Sequence, residues 1–186
     1  MGKGVNALSK PVDAVFFDRD DTLIVDVPYN GDPSLVRPMP TAGLAVELLR
    51  SLRVPIGVIS NQSGIARGLL TRADVDRVNT EVARLLGPFD DWQVCPHSHR
   101  DACGCRKPQP GMILRASRNL GVSAERVVMI GDIAADVAAA EAAGATGILV
   151  PTSRTRAEEV RAATYVARNL LAAVEMVAPL VREVAA

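Results

Sequence analysis

Four short apolar runs, "VDAVFF" at 12–17, "PIGVIS" at 55–60, "VVMI" at 127–130 and "TGILV" at 146–150, alternate with longer stretches whose apolar residues recur at helical spacing. Runs of this length fit strands buried on both faces, and helical stretches between them fit the crossovers of a parallel sheet. The alternation predicts an α/β chain: a Rossmann-like three-layer sandwich with a mainly parallel sheet. A weaker fifth strand is expected at 164–166, and helices at 42–52, 72–86, 111–120, 133–143 and 170–184. Thr41 and Thr71 stand at N-cap positions, and Gly87, Gly121 and Gly144 where helix-ending glycines belong. A length of 186 residues suits a single domain, 1–186.

In an open parallel sheet, ligands gather at the carboxyl ends of the strands. Here the first run ends in "DRDDT", the second in "SNQSG" and the third in "GDIAAD". Asp18, Asp20, Ser60, Asn61, Asp132 and Asp136 are thereby offered to one crevice. Asp18, Asp20 and Asp21 fall within four residues, and like charges so close repel. Carboxylates converging from separate strands make an oxygen donor set suited to Mg²⁺, which would relieve that repulsion. A solvated acidic turn is the plain alternative. An EF-hand loop would need a Gly and a late Glu that "DRDDTLIVDVPY" lacks.

The composition narrows the classes. Lys plus Arg and Asp plus Glu stand at 21 each, so no global charge draws the chain to nucleic acid or an anionic membrane. No stretch supplies the roughly 20 apolar residues of a membrane span. The N-terminal residues lack an apolar run with a small-residue cleavage site, so a cytoplasmic location is expected. Neither G-x-x-x-x-G-K-[ST], G-x-G-x-x-G nor G-x-S-x-G occurs, which leaves nucleotide-dependent kinases, dehydrogenases and serine hydrolases without local support.

Two segments follow neither period. Residues 26–40 are rich in Pro and Gly, and residues 95–111 hold all three cysteines and both histidines. Cys95, His97, Cys103 and Cys105 read C-x-H-x5-C-x-C, a donor set for a closed tetrahedral Zn²⁺ site in a loop at about 95–105. Buried free thiols, or a redox pair at Cys103 and Cys105, are the alternatives. His97 is the expected ligand and His99 the spare, although spacing alone allows a swap.

Taken in order, "FDRDDTL", "SNQSGIARG", "CRKPQPG" and "GDIAAD" resemble the four motifs of the haloacid dehalogenase superfamily of phosphatases, across roughly 12–150. Within it, "SNQSGIARG" followed by a Cys/His loop is similar to the D-glycero-D-manno-heptose 1,7-bisphosphate 7-phosphatases and to the related histidinol-phosphate phosphatases. The resemblance implies that Asp18 is the nucleophile and forms an aspartyl-phosphate, and that Asp20 is the general acid and base. It implies that the Asp18 carboxylate, the Asp20 carbonyl and Asp132 hold Mg²⁺, and that Ser60 and Lys107 position the phosphoryl group. Asn61, Gln62, Ser63 and Arg106, with Lys107, would contact the substrate, and His97 would be the zinc ligand.

The chain departs from the family pattern at two places. Asp21 stands where Gly is common, and Ile133 where heptose bisphosphate phosphatases often carry Lys, which weakens the case for a second substrate phosphate bound in the usual way. No interval has room for a large cap, so a minimal cap, an open site, a small phosphorylated substrate and a monomer are expected. A non-catalytic, zinc-stapled binding domain is the contrasting hypothesis. Against it stand Asp18, Asp20, Ser60, Lys107 and Asp132, all present together.

Overall fold

The computed structural model describes residues 8–181. Five strands, β1 (Ala14–Phe17), β2 (Ile56–Asn61), β3 (Asp91–Cys95), β4 (Val127–Gly131) and β5 (Thr146–Leu149), form one all-parallel sheet in the order β3-β2-β1-β4-β5. The helices are α1 (Ala42–Ser51), α2 (Arg72–Leu86), α3 (Gly111–Asn119), α4 (Ala134–Ala142), α5 (Ala157–Ala162) and α6 (Leu170–Val177). The architecture is the expected α/β sandwich.

The central strands β1 and β4 are buried along their whole length, and their side chains alternate between the two faces as strand geometry requires. Val15, Phe17, Val128 and Ile130 pack with residues of α1, α2 and α6, whereas Ala14, Phe16, Val127 and Met129 pack with α3 and α4. Burying Phe16 and Phe17 stabilises the fold by roughly 1.5–3 kcal/mol each. The chain runs outward from β1 through β2 to β3, then crosses back to β4 and β5. That reversal opens a crevice at the carboxyl ends of β1 and β4, and Asp18 and Asp132 follow those ends directly.

Several boundaries differ from the sequence reading. The edge strand β3 was not expected. "DWQVC" opens on a charge and alternates weakly, and it becomes a strand because β2 offers it a partner edge. Residues 164–166 form no strand. Val166 makes only an isolated bridge to Leu149. The last helix stops at Val177 and continues as one 3-10 turn, Ala178–Leu180, because Pro179 has no N–H to donate. Positions 182–184 of the expected helix lie outside the described residues. Thr71 caps α2 with a full capping box to Asp74, but Thr41 does not cap α1. Its backbone is left-handed, and its hydroxyl accepts from the Leu171 N–H, tying α1 to α6. The 26–40 segment is pinned at its ends, where Val25 N–H donates to Arg37 O and Met39 N–H to Leu23 O. Among the described residues, no helix is long and apolar enough to cross a membrane.

Candidate active site

Asp18 follows the end of β1, and its N–H donates to the Ile130 carbonyl of β4 at 2.9 Å. Its backbone is therefore fixed at the point where the strand order reverses. Lys107 enters from the far end of the cysteine segment. Its Nζ donates to Asp18 Oδ1 and to the Ile59 carbonyl, both at 2.7 Å, and lies 2.6 Å from Asp136 Oδ1. Lys107 is only 3% exposed and Asp136 is fully buried. Gly131 makes room for Asp136, since a Cβ on that glycine would stand 2.3 Å from the carboxylate. Asp132 brings a third buried carboxylate, and oxygens of Asp18, Asp132 and Asp136 lie within 4.8 Å of one another.

Burial pushes Asp18 up from 3.8 to about 7, with Lys107 pulling it back and Asp136 and Asp20 adding to the rise. Burial likewise pushes Asp132 up to about 8, and the Asp18 and Asp136 charges reinforce it. Burial works against the Lys107 ammonium, yet Asp136 and Asp18 hold its pKa above the ordinary lysine value. The cluster thus carries more negative charge than its one buried ammonium balances, a condition that a divalent cation relieves.

Asp20 stands apart from this group. Arg19 grips both of its oxygens at 3.1 Å, and Gln62 Nε2 donates to Oδ2 at 2.7 Å. Arg19 is itself 2% exposed and donates to Asn79 of α2 at 2.8 Å. The Asp20 side chain stays about a quarter exposed, at 26%. Gln62, expected to contact the substrate, and Ser60, expected to position the phosphoryl group, are buried here, and Gln62 Nε2 also donates to Ser60 Oγ at 2.8 Å. Asn61 and Lys107 exchange two bonds, Nδ2 to the Lys107 carbonyl at 3.2 Å and the Lys107 N–H to Oδ1 at 3.1 Å. These side chains hold the catalytic candidates in place before any ligand arrives.

An open cavity of about 320 Å³ covers the group. Asp18, Asp20, Asp21, Asp26, Asn61, Arg106, Lys107, Asp132, Ile133 and Arg154 line it; Ser60, Gln62 and Ser63 do not.

The cysteine segment closes on itself as its spacing suggested. Cys95 Sγ lies 3.1 Å from Cys105 Sγ and 3.7 Å from Cys103 Sγ, and His97 Nδ1 lies 3.2 Å from Cys105 Sγ. Four soft donors within 4.8 Å approach the roughly 3.8 Å edges of a tetrahedron with 2.3 Å metal–sulfur bonds. His99 is outside this group, and its Nε2 is 3.1 Å from Arg106 Nη2. Burial pushes the Cys95 thiol up to about 12. Cys103 is held down to about 6, where hydrogen bonds, foremost from the Arg106 N–H, outweigh the opposing effect of burial. Arg106 Nη1 also donates to the His97 carbonyl at 3.1 Å, so the loop and the cavity wall are one unit.

The chain matches the HAD-hydrolase-like family model over residues 104–173. It is 38% identical over 149 residues to a Rhodopseudomonas palustris protein named D-glycero-beta-D-manno-heptose-1,7-bisphosphate 7-phosphatase, covering 72% of this chain and 81% of the relative. The chain belongs to the haloacid dehalogenase superfamily of phosphatases. A Salmonella typhi protein of the same name is 33% identical, over 88% of this chain and 94% of its own. A crystal structure of D,D-heptose 1,7-bisphosphate phosphatase from B. bronchiseptica, complexed with magnesium and phosphate, superposes with a TM-score of 0.78. It is 28% identical and covers 88% of this chain and 97% of that one.

The backbone gives the first departure from the superfamily pattern a physical reason. Asp21 has φ 54°, a left-handed conformation that glycine adopts freely and that Asp tolerates better than most residues. Its Oδ1 accepts from the Asp26 N–H at 3.1 Å, so the substitution adds a bond within the loop. Ile133 presents an apolar, 37% exposed side chain to the cavity. Arg19, Asn79 and Arg154 were missed by the sequence reading. Arg19 sits inside the first motif, yet nothing in sequence distinguishes a buried arginine from a solvated one.

Proposed function

We propose that this chain is a Mg²⁺-dependent phosphatase that removes the 7-phosphate of D-glycero-D-manno-heptose 1,7-bisphosphate. The observation that carries the reading is the buried Asp18 carboxylate, held by Lys107 beside Asp132 at the floor of the cavity. The names of the relatives at 33–38% identity supply the substrate. The magnesium and phosphate in the B. bronchiseptica complex support the cofactor.

In this reading an Asp18 oxygen attacks phosphorus in line and forms an aspartyl-phosphate as the sugar oxygen departs. Asp20 gives its proton to that oxygen, then takes one from the water that attacks the intermediate, releasing phosphate and restoring Asp18. Both Asp20 oxygens accept N–H bonds in this structure, so Asp20 turns from Arg19 and Gln62 to reach the leaving group. Lys107 neutralises charge on the transferring group, Asn61 lines the pocket, and Ser60 lies behind it, holding Gln62. Arg106 on the cavity wall contacts the substrate, with Gln62 supporting Asp20 from behind. The Asp18 and Asp132 carboxylates and the Asp20 carbonyl would hold Mg²⁺, while Lys107 occupies Asp136. Bound there, the ion supplies shielding between one anion and another.

Cys95, His97, Cys103 and Cys105 fit Zn²⁺ by donor type and by closeness. Zinc would be structural and would orient Arg106 and Lys107, which directly follow Cys105. Cys103→Ser is expected to lose zinc, lower the melting temperature and lower phosphatase activity together. Metal analysis and thermal denaturation check this, and full activity at full zinc content would refute it.

Ile133 favours a second reading. A cavity wall with isoleucine there suits a monophosphate such as histidinol phosphate. Phosphate release with Mg²⁺ at neutral pH, compared for heptose 1,7-bisphosphate, histidinol phosphate and fructose 1,6-bisphosphate, separates the two. A preference for the heptose bisphosphate is expected. A preference for histidinol phosphate would move the chain to the sister activity, and no turnover of any ester would return it to the binding proteins.

A further inference from the structure

The cavity holds five aspartates against three cations, Arg106, Lys107 and Arg154. Two of the cations already have places at the reaction centre and its wall. Lys107 is buried between Asp18 and Asp136, and Arg106 is tied to the His97 carbonyl and to His99. Arg154 differs. Its side chain is 55% exposed, and it reaches across the mouth of the cavity to Asp26 and, at 3.5 Å, to Asp21.

The backbone beneath Arg154 is fixed to the site. Its N–H donates to Thr152 Oγ1 at 3.2 Å, the Thr152 N–H donates to Thr155 Oγ1 at 2.8 Å, and Thr155 Oγ1 donates to the Asp132 carbonyl at 2.7 Å. A guanidinium on a flexible stem therefore hangs from a turn anchored to the residue that follows β4. Its partners are half-buried carboxylates, 17% and 23% exposed, but the guanidinium itself stays in solvent, which screens their hold on it. A phosphate carries more charge and matches the planar fork with two parallel bonds.

We infer that Arg154 is the anchor for the second anionic group of a substrate that bears two, exchanging Asp21 and Asp26 for that group on binding. The inference rests on the phosphatase reading above, and it answers the apolar Ile133: the cation that recognises a distal phosphate comes from the turn after β5. With no substrate in the cavity, Asp21 and Asp26 keep the guanidinium poised at the entrance.

The test compares wild type and Arg154→Gln on a sugar bisphosphate and on the same sugar lacking the distal phosphate, using whichever pair wild type hydrolyses with Mg²⁺. A charge-assisted bidentate contact predicts that the preference for the bisphosphate falls about tenfold to a hundredfold, through KM, because the monophosphate loses much less than the bisphosphate. Ile133→Lys added to Arg154→Gln restores part of that preference, which a merely structural role for Arg154 would not allow. An unchanged preference in Arg154→Gln, an equal loss on both substrates, or a wild type that favours the monophosphate would each overturn the assignment. A wild type that hydrolyses no phosphate ester overturns the phosphatase reading and, with it, this one.

Discussion

Asp18→Asn is expected to lower phosphate release by roughly 10⁴-fold or more while leaving the metal-free fold at least as stable as wild type at pH 8. The activity loss follows from the proposed role, because an amide cannot attack phosphorus as a carboxylate does. The stability result follows from the site's electrostatics. Burial raises Asp18 from 3.8 to about 7, so its ionised form is disfavoured in the folded protein. A carboxylate raised on folding costs stability by an amount that grows as pH rises from about 4 to about 7 and is complete above that. Asparagine removes the cost and still offers Lys107 an oxygen. Phosphate assays and metal-free thermal denaturation at pH 8 check both halves. A variant keeping a tenth of wild-type turnover would take the nucleophile's role away from Asp18, and a clear drop in melting temperature would contradict the electrostatic account.

The framework of the site was legible because strand ends are written locally. "VFFD" and "VMIGD" each join a buried run to an acid, and parallel topology brings such ends together. The cysteine cluster was legible for a related reason: three thiols and a histidine within eleven residues have few partners but one another. The edge strand β3 was not. Its residues look like a loop until β2 pairs with them, and pairing across 30 or more residues leaves no local mark.

The same limit explains the site residues that moved. Gln62 belongs to the second motif, so sequence alone places it against substrate; the fold turns it inward, where it joins Asp20 to Ser60. Arg19 lies between two acids and reads as solvated, yet its guanidinium fills a buried gap between Asp20 and Asn79, 60 residues away. Arg154 carries no motif. Its importance comes from a turn that hydrogen bonds bring beside Asp132. Which residue types converge could be read from the sequence; which of them face the cavity depends on packing between distant segments.

Lys107→Met carries the largest expected cost to the fold. It removes the one ammonium that two buried carboxylates share, Asp18 at 2.7 Å and Asp136 at 2.6 Å. Breaking a buried ion pair by deleting one partner costs about 3–5 kcal/mol, because the remaining charge keeps its desolvation without compensation. Here two carboxylates are left, so the upper half of that range is expected for the metal-free protein at pH 8, together with loss of activity. The loss should shrink as pH falls. Lys107 pulls the Asp18 pKa down, so without it the carboxyl takes up a proton at higher pH and sheds the charge. Adding Asp136→Asn removes a second charge, and the asparagine can still accept from the Ile133 N–H, as Asp136 Oδ2 does at 3.2 Å. The double variant should recover much of the stability and none of the activity. Urea unfolding of the three proteins at pH 6 and pH 8 tests this: a single variant within about 1 kcal/mol of wild type at pH 8, or a double variant no more stable than the single, would show that packing rather than charge governs this site.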